Sequence, residues 1–308
     1  MRMNLHLARI FYAVARTGSF SRGAESLHIS QSAASKAVRE LEAQLDLPLI
    51  ERGGPKGKQG RGLRLTEGGQ VLFEHARGIF ALEAAALDDL RARSGLSRGR
   101  LVIGASTTVA GYWLPPYVAQ FSARFPEIEV QVVVGNTQVI GQGLLDCRMD
   151  VAVVEGALND PGIASMPWRE EDLVLVAASG SALASGAKAD AEELGAQRWL
   201  MREPGSGTRE VSQRLLHERG IAPANMLEMG SNEAIARAVA HGAGIALLPL
   251  VVVQDLLALG KLAAVTGQGA CRRPLFRLQR SQRPLSPPAQ AFSALLREDP
   301  VDIARNHE

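Results

Sequence analysis

The chain has 308 residues, of which 46% are hydrophobic, with a mean hydropathy of +0.01 and a formal net charge of +2. It is longer than the ~100–200 residues of one domain, so we expect two or three folded units. Charged residues interrupt the first ten positions, and the most apolar stretch, 244–259, is shorter than the ~20 residues of a membrane span. The composition argues against export and membrane insertion and predicts a cytoplasmic protein.

The charge is unevenly distributed along the chain. Residues 1–65 carry a formal charge of +6, and the remainder carries −4. Phosphate attraction is the sequence-independent part of nucleic-acid binding. A basic module on an acidic body therefore suggests a polyanionic partner for the N-terminal module alone.

Three short helices are predicted in this module. Apolar residues at three- and four-residue steps indicate a first helix that ends near Gly18. Ser21 is predicted to cap a second helix over residues 22–27, and Ser30 a third over residues 31–45.

The third helix has an apolar stripe on one side and a polar face on the other. That face begins with small hydrogen-bonding side chains and becomes basic one turn later, as a helix in the DNA major groove requires. The alternative is an ordinary solvated face, but the tight turn before this helix and the local charge favour DNA. The candidate DNA-binding residues here are Ser30, Gln31, Ser32, Ser35, Lys36 and Arg39.

A two-stranded hairpin is predicted after the third helix. Residues 49–52 and 63–66 would form its strands, and the glycine-rich tip 53–62 would form a flexible wing beside the recognition helix. The candidate phosphate contacts of the wing are Arg52, Lys56, Lys58 and Arg61.

Residues 67–93 lack proline and predict a helix of about 25 residues with an apolar seam. The seam either packs back on its own domain or pairs with a partner helix. Residues 94–99 then supply a short hinge rich in serine and glycine.

The ordered pattern of the first 42 residues resembles the N-terminal signature of LysR-type transcriptional regulators. The matching run is Phe11-x-x-Val14-Ala15-x-x-Gly18-Ser19-Phe20-Ser21-x-x-Ala24-x-x-Leu27-x-x-Ser30-Gln31-Ser32-Ala33-x-Ser35-x-x-Val38-x-x-Leu41-Glu42. Leu65-Thr66-Glu67-Gly68-Gly69 is similar to the family's wing-to-linker junction, although the wing is several residues longer than usual.

The resemblance implies three segments and several partners. Residues 1–65 would form an all-α winged helix-turn-helix that binds double-stranded DNA, 66–93 a linker helix that makes a homodimer, and 94–308 an effector-binding domain. A homotetramer and contact with RNA polymerase are further expectations from the family, and no membrane partner is expected.

From residue 100 onward, short apolar strands alternate with helices, which predicts an α/β domain with parallel sheets covered on both faces. The predicted strands cover 101–103, 130–134, 151–154, 173–178 and 245–248. LysR-type proteins have two lobes, like periplasmic binding proteins. The resemblance therefore implies lobe I over 100–166 and 268–308, and lobe II over 167–267.

Hydroxyl-rich segments follow several of these strands at helix starts, where α/β domains bind ligands. Such residues are often plain helix caps, but their recurrence in both lobes favours a site between the lobes. Arg209 would meet the ligand's charge or pair with Glu203 or Glu210. The candidate effector-binding residues are Ser106, Thr107, Thr108, Asn136, Thr137, Ser206, Gly207, Thr208, Arg209 and Ser231, with Asn232 beside it.

The motifs of the C-terminal part, including Glu203 to Arg209, resemble the family's branch that regulates carbon fixation or sulfur metabolism. This implies a small anionic effector: an oxyanion such as sulfate, sulfite or phosphate, or a phosphorylated metabolite. We expect no cofactor. A structural metal site is not expected either, because Cys147 and Cys271 lie far apart, and neither has a second cysteine or a histidine at ligand spacing.

Two other classes of protein fit the sequence less well. No dinucleotide, zincin or nucleophile-elbow motif is complete, so an enzyme is not expected. A free-standing solute-binding protein would leave residues 1–93 without a role.

Overall fold

The structure is a computed structural model, and it describes residues 3–51, 63–93, 99–185, 189–267, 271–281 and 284–298. The chain divides into two compact units, Met1–Leu87 and Asp88–Glu308. No helix in these described ranges is long and apolar enough to cross a membrane.

The first unit contains helices α1 (Leu5–Thr17), α2 (Phe20–Glu25) and α3 (Gln31–Leu45), followed by α4 (Glu67–Arg93). Gly18 ends α1 in the left-handed conformation, and Ser30 caps α3, both as predicted. The prediction for Ser21 was wrong, because Ser19 caps α2 and accepts a hydrogen bond from the Arg22 N–H. The second helix therefore begins two residues earlier, and Ser21 lies inside it.

The three short helices enclose one core. Phe11, Val14 and Leu41 are fully buried at its centre. Gly23 lets α2 pack against the backbone of α1, since a Cβ atom at this position would lie 2.6 Å from the Val14 Cα. The fold of this unit thus depends on close helix contacts between residues that are near in sequence.

The base of the predicted wing is present. The Glu51 N–H donates to the Arg64 carbonyl at 3.0 Å, next to an antiparallel bridge between Ile50 and Leu65. The buried Glu42 carboxylate accepts from the Leu49 and Ile50 N–H groups at 2.8 and 3.2 Å and so holds the first strand. The wing tip, with Arg52, Lys56, Lys58 and Arg61, lies outside the described residues.

Helix α4 has two different halves. In its first half, Phe73 stacks on Tyr12 of α1 with ring centroids 5.4 Å apart, and Ala76 and Phe80 are buried in the core of the unit. In its second half, Leu82 and Leu90 are 47% and 65% exposed. The first half therefore packs back on its own domain, which is one of the two alternatives predicted for the apolar seam. The second half leaves its apolar residues exposed.

The second unit is α/β, as predicted. Its helices are α5 (Pro115–Arg124), α6 (Thr137–Leu145), α7 (Ala191–Gly195), α8 (Gly207–Glu218), α9 (Asn232–Ala240), α10 (Leu250–Ala258) and α11 (Pro287–Leu295), with a π-helical turn at Val109–Trp113 and a 3-10 turn at Ala182–Ser185. Its strands are β1 (Gly99–Ser106), β2 (Ile128–Gly135), β3 (Val151–Glu155), β4 (Ile163–Ala178), β5 (Arg198–Met201), β6 (Asn225–Glu228), β7 (Ala246–Pro249), β8 (Leu262–Ala264) and β9 (Cys271–Arg280).

The prediction of parallel sheets was correct for β1 with β2 and β3 and for β5 with β6, but wrong for the rest of the main sheet. Within the described residues, β2-β1-β3-β9-β4-β7 form one mixed sheet, with β8 against β4, and β5 and β6 form a parallel pair. The β1 pairs are parallel, whereas β4 and β9 run antiparallel to all their partners. Both are long strands that carry the chain between the lobes in opposite directions, which a sequence pattern of short strands does not show.

Both faces of the first lobe's sheet are covered. Leu101 and Ile103 pack against α5 and α11, where Phe121 and Phe292 meet edge to face with centroids 5.5 Å apart. On the other face, Met149 lies directly over Gly104 of β1 and beside Gly143 of α6, whose added Cβ atom would lie 2.6 Å from the Met149 Cε. The two glycines leave the space that this side chain fills.

The second lobe has its own core around β4, β5 and β7. Trp199 is fully buried there and donates its indole N–H to the Leu194 carbonyl at 2.8 Å. Helices α8 and α9 begin at Gly207 and Asn232. Their N-termini therefore lie directly at the predicted site residues.

Candidate functional site

Helix α3 presents the predicted polar face to solvent. Gln31, Ser32, Lys36 and Arg39 are exposed, and Ser35 is half-buried. The Gln31 amide donates to the Ser35 Oγ at 3.3 Å, and the Arg39 Nε–H donates to the Ser35 carbonyl at 3.2 Å. Ser30 accepts the Ala33 N–H at 3.1 Å as the helix cap. The face is open and basic, as a DNA-contacting surface requires.

The candidate effector residues lie where β1 and β3 end and where α8 and α9 begin. We call this region the inter-lobe site. Its centre is the buried Asn232 amide, which donates to the Thr108 Oγ1 at 2.9 Å and to the Thr208 Oγ1 at 3.2 Å. One side chain thus joins the segment after β1 to the first turn of α8.

Arg202, directly after β5, is a buried cation that the sequence pattern did not indicate. Its guanidinium holds the Glu203 carboxylate in a bidentate pair at 2.8 and 2.9 Å and donates to the Thr107 Oγ1 at 3.0 Å. The Asn136 amide donates to Glu203 at 3.3 Å. Thr107 and Asn136 of the first lobe are therefore hydrogen-bonded to the second lobe.

Glu203 is held in its charged form. Burial raises the pKa of its carboxyl, but hydrogen bonds from Arg202, its own backbone N–H and Asn136, together with the Arg202 charge, outweigh burial and hold the pKa below its usual value. The charge of Arg202 is thus already balanced within the site.

A second buried cation, Arg273 of β9, lies beneath the inter-lobe site. It donates from Nε to Glu171 at 2.7 Å and from Nη2 to Glu155 at 3.4 Å, and all three side chains are almost completely buried. Its Nη1 donates to the Thr208 Oγ1 at 2.9 Å. One buried guanidinium thus joins β3, β4 and the first turn of α8.

Three polar atoms of the inter-lobe site have no hydrogen-bond partner among the described residues. They are the Ser106 Oγ, the Ser206 Oγ and the Asn232 Oδ1, and all three residues are no more than 1% exposed. Ser206 precedes α8 but does not cap it with its side chain. Buried hydroxyls without partners are uncommon, and a bound ligand is one way to satisfy them.

The other predicted residues have structural contacts. Thr137 donates to the Glu155 carbonyl at 2.9 Å, and Ser231 accepts the Ala234 N–H at 3.1 Å as a helix cap. Gly207 lies against Glu155, because an added Cβ atom would sit 2.5 Å from the Glu155 carbonyl oxygen. Each of these contacts is compatible with a purely structural role.

The two glutamates expected as partners of Arg209 were wrong. Its guanidinium donates to the Arg202 carbonyl at 2.6 Å and to Glu228 at 2.7 Å, not to Glu203 or Glu210. Glu228 ends β6, a strand that the sequence pattern did not predict. Arg209 therefore braces the second lobe.

Two family models match the chain. The helix-turn-helix model of bacterial regulatory proteins of the LysR family covers residues 5–70, and the LysR substrate-binding domain covers residues 94–300. Together they account for most of the 308 residues.

Relatives and a solved structure agree with these matches. The HTH-type transcriptional regulator YeiE of Escherichia coli K12 is 34% identical over 99% of this chain and 100% of its own length. The HTH-type transcriptional regulator CbbR of Rhodospirillum rubrum is 33% identical over 96% of both chains. The regulatory domain of Synechocystis CcmR, solved with 2-PG, is 28% identical, covers 64% of this chain and 95% of its own, and has a TM-score of 0.59.

The RuBisCO operon transcriptional regulator of Allochromatium vinosum, which is 32% identical over 95% of both chains, supports the resemblance to the carbon-fixation branch. The N-terminal helices, the two-lobed α/β domain and these matches show a DNA-binding transcriptional regulator with an effector-binding domain, as the relatives are, rather than an enzyme. The chain belongs to the LysR family of transcriptional regulators.

Proposed function

We propose that a small anion bound at the inter-lobe site controls the DNA binding of this regulator. The observation that carries the proposal is the pair of buried, unpartnered hydroxyls of Ser106 and Ser206, which lie at the end of β1 and at the N-terminus of α8. Hydroxyl groups and a helix N-terminus donate hydrogen bonds, and an oxyanion accepts them.

Arg202 supplies the cation for this anion. Because Glu203 occupies Arg202 in a bidentate pair, an entering anion has to take the place of that carboxylate. The displaced Glu203 would also lose its hydrogen bond from Asn136. Anion binding therefore changes a contact that joins the two lobes, and this is how binding is coupled to lobe closure.

The chemistry of a relative supports this class of ligand. The regulatory domain of CcmR binds 2-PG and shares 28% of its residues with this chain. We infer an oxyanion such as sulfate, sulfite or phosphate, or a phosphorylated metabolite, and a regulatory role near carbon fixation.

The DNA contacts are assigned to the exposed face of α3, from Ser30 to Arg39, together with the wing cations. The exposed second half of α4, with Leu82, Leu87 and Leu90, is the proposed homodimer seam, since an uncovered apolar stripe on a long helix favours a partner helix. A dimer places two recognition helices on two half-sites. A tetramer that re-spaces four such modules, and contact with RNA polymerase in the cytoplasm, complete the proposal.

Thermal unfolding of the full chain with sulfate, sulfite, phosphate and 3-phosphoglycerate tests the anion. A ligand at a hundred times its Kd stabilises the folded state by about 2.7 kcal/mol, so at least one anion should raise the Tm in a saturable way. Arg202→Gln and Thr107→Ala should remove the shift, and Arg198→Gln, which changes an exposed arginine of β5, should keep it.

Glu203→Gln should increase the anion affinity, because the competing carboxylate is gone. If no anion raises the Tm of the wild-type chain, the effector class is wrong, while the family assignment stands.

A further inference from the structure

A cavity of about 490 Å³ lies beside the point where β4 changes register between Pro167 and Arg169. Its walls come from β4, β9 and the residues after α11, and none of the candidate effector residues lines it. Small-molecule sites in proteins usually have volumes of about 300–1,000 Å³. This cavity, which we call the hinge cavity, is therefore large enough for an organic ligand.

Cations outnumber anions in the lining of the hinge cavity. The lining contains three arginines, Arg169, Arg277 and Arg297, but only two acidic residues, Glu170 and Glu298. Arg277 donates from Nη1 to the Ser293 carbonyl at 3.3 Å, but its Nε–H is shielded from solvent and has no acceptor among the described residues. A buried donor without an acceptor is costly, and an anion in the cavity would satisfy it.

The electrostatics of Arg277 agree with this geometry. Burial and the neighbouring charge of Arg297 both lower the pKa of the Arg277 guanidinium. Two cations that repel each other at the edge of a cavity attract an anion between them.

The aromatic walls hold the third cation in place. The Arg169 guanidinium lies 4.7 Å from the Trp113 ring centroid and 4.3 Å from that of Trp168. Its Nη2 donates to the Tyr117 hydroxyl at 2.7 Å. The Trp168 N–H donates to the Leu296 carbonyl at 2.7 Å, so this wall is itself fixed. The cavity thus has a preorganised planar surface on one side.

A chain of hydrogen bonds connects the hinge cavity to the inter-lobe site. The Trp113 N–H donates to the Glu171 Oε1 at 2.7 Å, Glu171 accepts from Arg273 at 2.7 Å, and Arg273 donates to the Thr208 Oγ1 at 2.9 Å. A ligand that moves Trp113 therefore also acts on side chains that border the inter-lobe site.

We propose that the hinge cavity is a second ligand site of this regulator, which binds a small organic anion carrying a carboxylate or a phosphate group. Arg277 and Arg297 bind the charged group, and the organic part lies against Trp168 and the Arg169 plane. The ligand acts on the inter-lobe site through Trp113 and Glu171. This proposal rests on the fold of the effector-binding domain. It does not require the effector of the inter-lobe site to be an anion.

Tryptophan fluorescence of the full chain tests the proposal directly. The chain has three tryptophans, two of which line the hinge cavity, while Trp199 is fully buried in the second lobe. Titration with citrate and with 3-phosphoglycerate should change the emission in a saturable way for at least one of them. Arg277→Gln should raise the Kd roughly tenfold or more, since it removes a charged hydrogen bond.

Two variants distinguish binding at the hinge cavity from binding at the inter-lobe site. Arg272→Gln changes an exposed arginine of the same strand and should leave the Kd unchanged. Thr208→Ala alters the inter-lobe site, and the saturable change in tryptophan emission should persist in this variant. A signal that is lost in Thr208→Ala and kept in Arg277→Gln would locate the ligand at the inter-lobe site, which refutes the hinge site and supports the proposed function.

Inorganic phosphate is the last arm of the experiment. The cavity is much larger than this ion, so we expect it to bind more weakly than the organic anions. Equal affinities for phosphate and the organic anions would show that the cavity recognises only charge. That result would overturn the proposal of an organic ligand. A lack of any saturable change with all three anions would overturn the site itself.

Discussion

The recognition helix and the inter-lobe site use polar side chains in opposite ways. On the outer face of α3 the polar residues are exposed or half-buried, and their contacts are with neighbours within one turn, such as Gln31 with Ser35. In the inter-lobe site the charges are buried and paired across long sequence distances, such as Arg273 with Glu155 and Glu171. A surface for a large polyanion can remain open to solvent, whereas buried charges have to be balanced before a ligand arrives.

The largest effect is expected from unbalancing the buried charges. Arg273→Met would leave Glu155 and Glu171 buried without their cation. It should lower the free energy of unfolding of the effector-binding domain by about 3–5 kcal/mol. Arg272→Met, whose pair with Asp172 is exposed, should cost about 0–1 kcal/mol. Urea unfolding followed by tryptophan fluorescence reports on the effector-binding domain alone, because all three tryptophans lie in the second unit, which contains that domain. Equal urea midpoints for the two variants would mean that the buried ion pairs of Arg273 stabilise the domain no more than the exposed pair of Arg272.

A medium effect is expected where the DNA-binding unit depends on close helix contacts. In Gly23→Ala the new Cβ atom would lie 2.6 Å from the Val14 Cα, so α1 and α2 must move apart at a cost of about 1–3 kcal/mol. Thermal unfolding followed by far-UV circular dichroism measures this loss, and affinity for operator DNA should fall with it.

Gly78→Ala is the matched control for this prediction. Gly78 lies in α4 with nothing within 4 Å of its added Cβ atom, so alanine should stabilise the helix by up to about 1 kcal/mol. A loss of stability in Gly78→Ala similar to that in Gly23→Ala would mean that contact distance is not the cause.

The smallest effect is expected on the open surface. Lys36 is exposed and has no ion pair among the residues that the structure describes. Lys36→Ala should leave stability unchanged, weaken DNA binding and reduce the slope of log K against log salt by about 0.9, the value for one phosphate contact. Lys261→Ala, which changes an exposed lysine of the sensor, should not alter that slope. An unchanged slope in Lys36→Ala would remove Lys36 from the DNA contacts.

The same contrast explains which features the sequence could predict. The ends of α3 were correct because the Ser30 cap and the apolar stripe are local signals. The cap of α2 was misplaced because Ser19 and Ser21 are both plausible caps, and the choice between them depends on Phe20, which packs against the core.

Residues of the inter-lobe site were harder to identify. The hydroxyl-rich helix starts were visible in the sequence, but Arg202 follows a strand and Arg273 lies in one, and their partners Thr107 and Thr208 are 95 and 65 positions away. A basic residue at the end of an apolar strand, directly before the glycine-rich motif, is a signal that could have identified Arg202. No local pattern indicates Arg273, because its neighbours on β9 alternate between exposed and buried like those of an ordinary strand.

The methionine over Gly104 and Gly143 has a consequence for sequence variation within the family. Met149 takes up the volume that side chains at positions 104 and 143 would otherwise occupy. A larger residue at Gly143 therefore requires a smaller one at position 149, whereas a larger one at Gly104 also requires Ile140 to move, since an added Cβ atom there would lie 2.9 Å from the Ile140 Cγ2. In relatives of this regulator, a larger residue at position 143 should occur together with a smaller one at position 149.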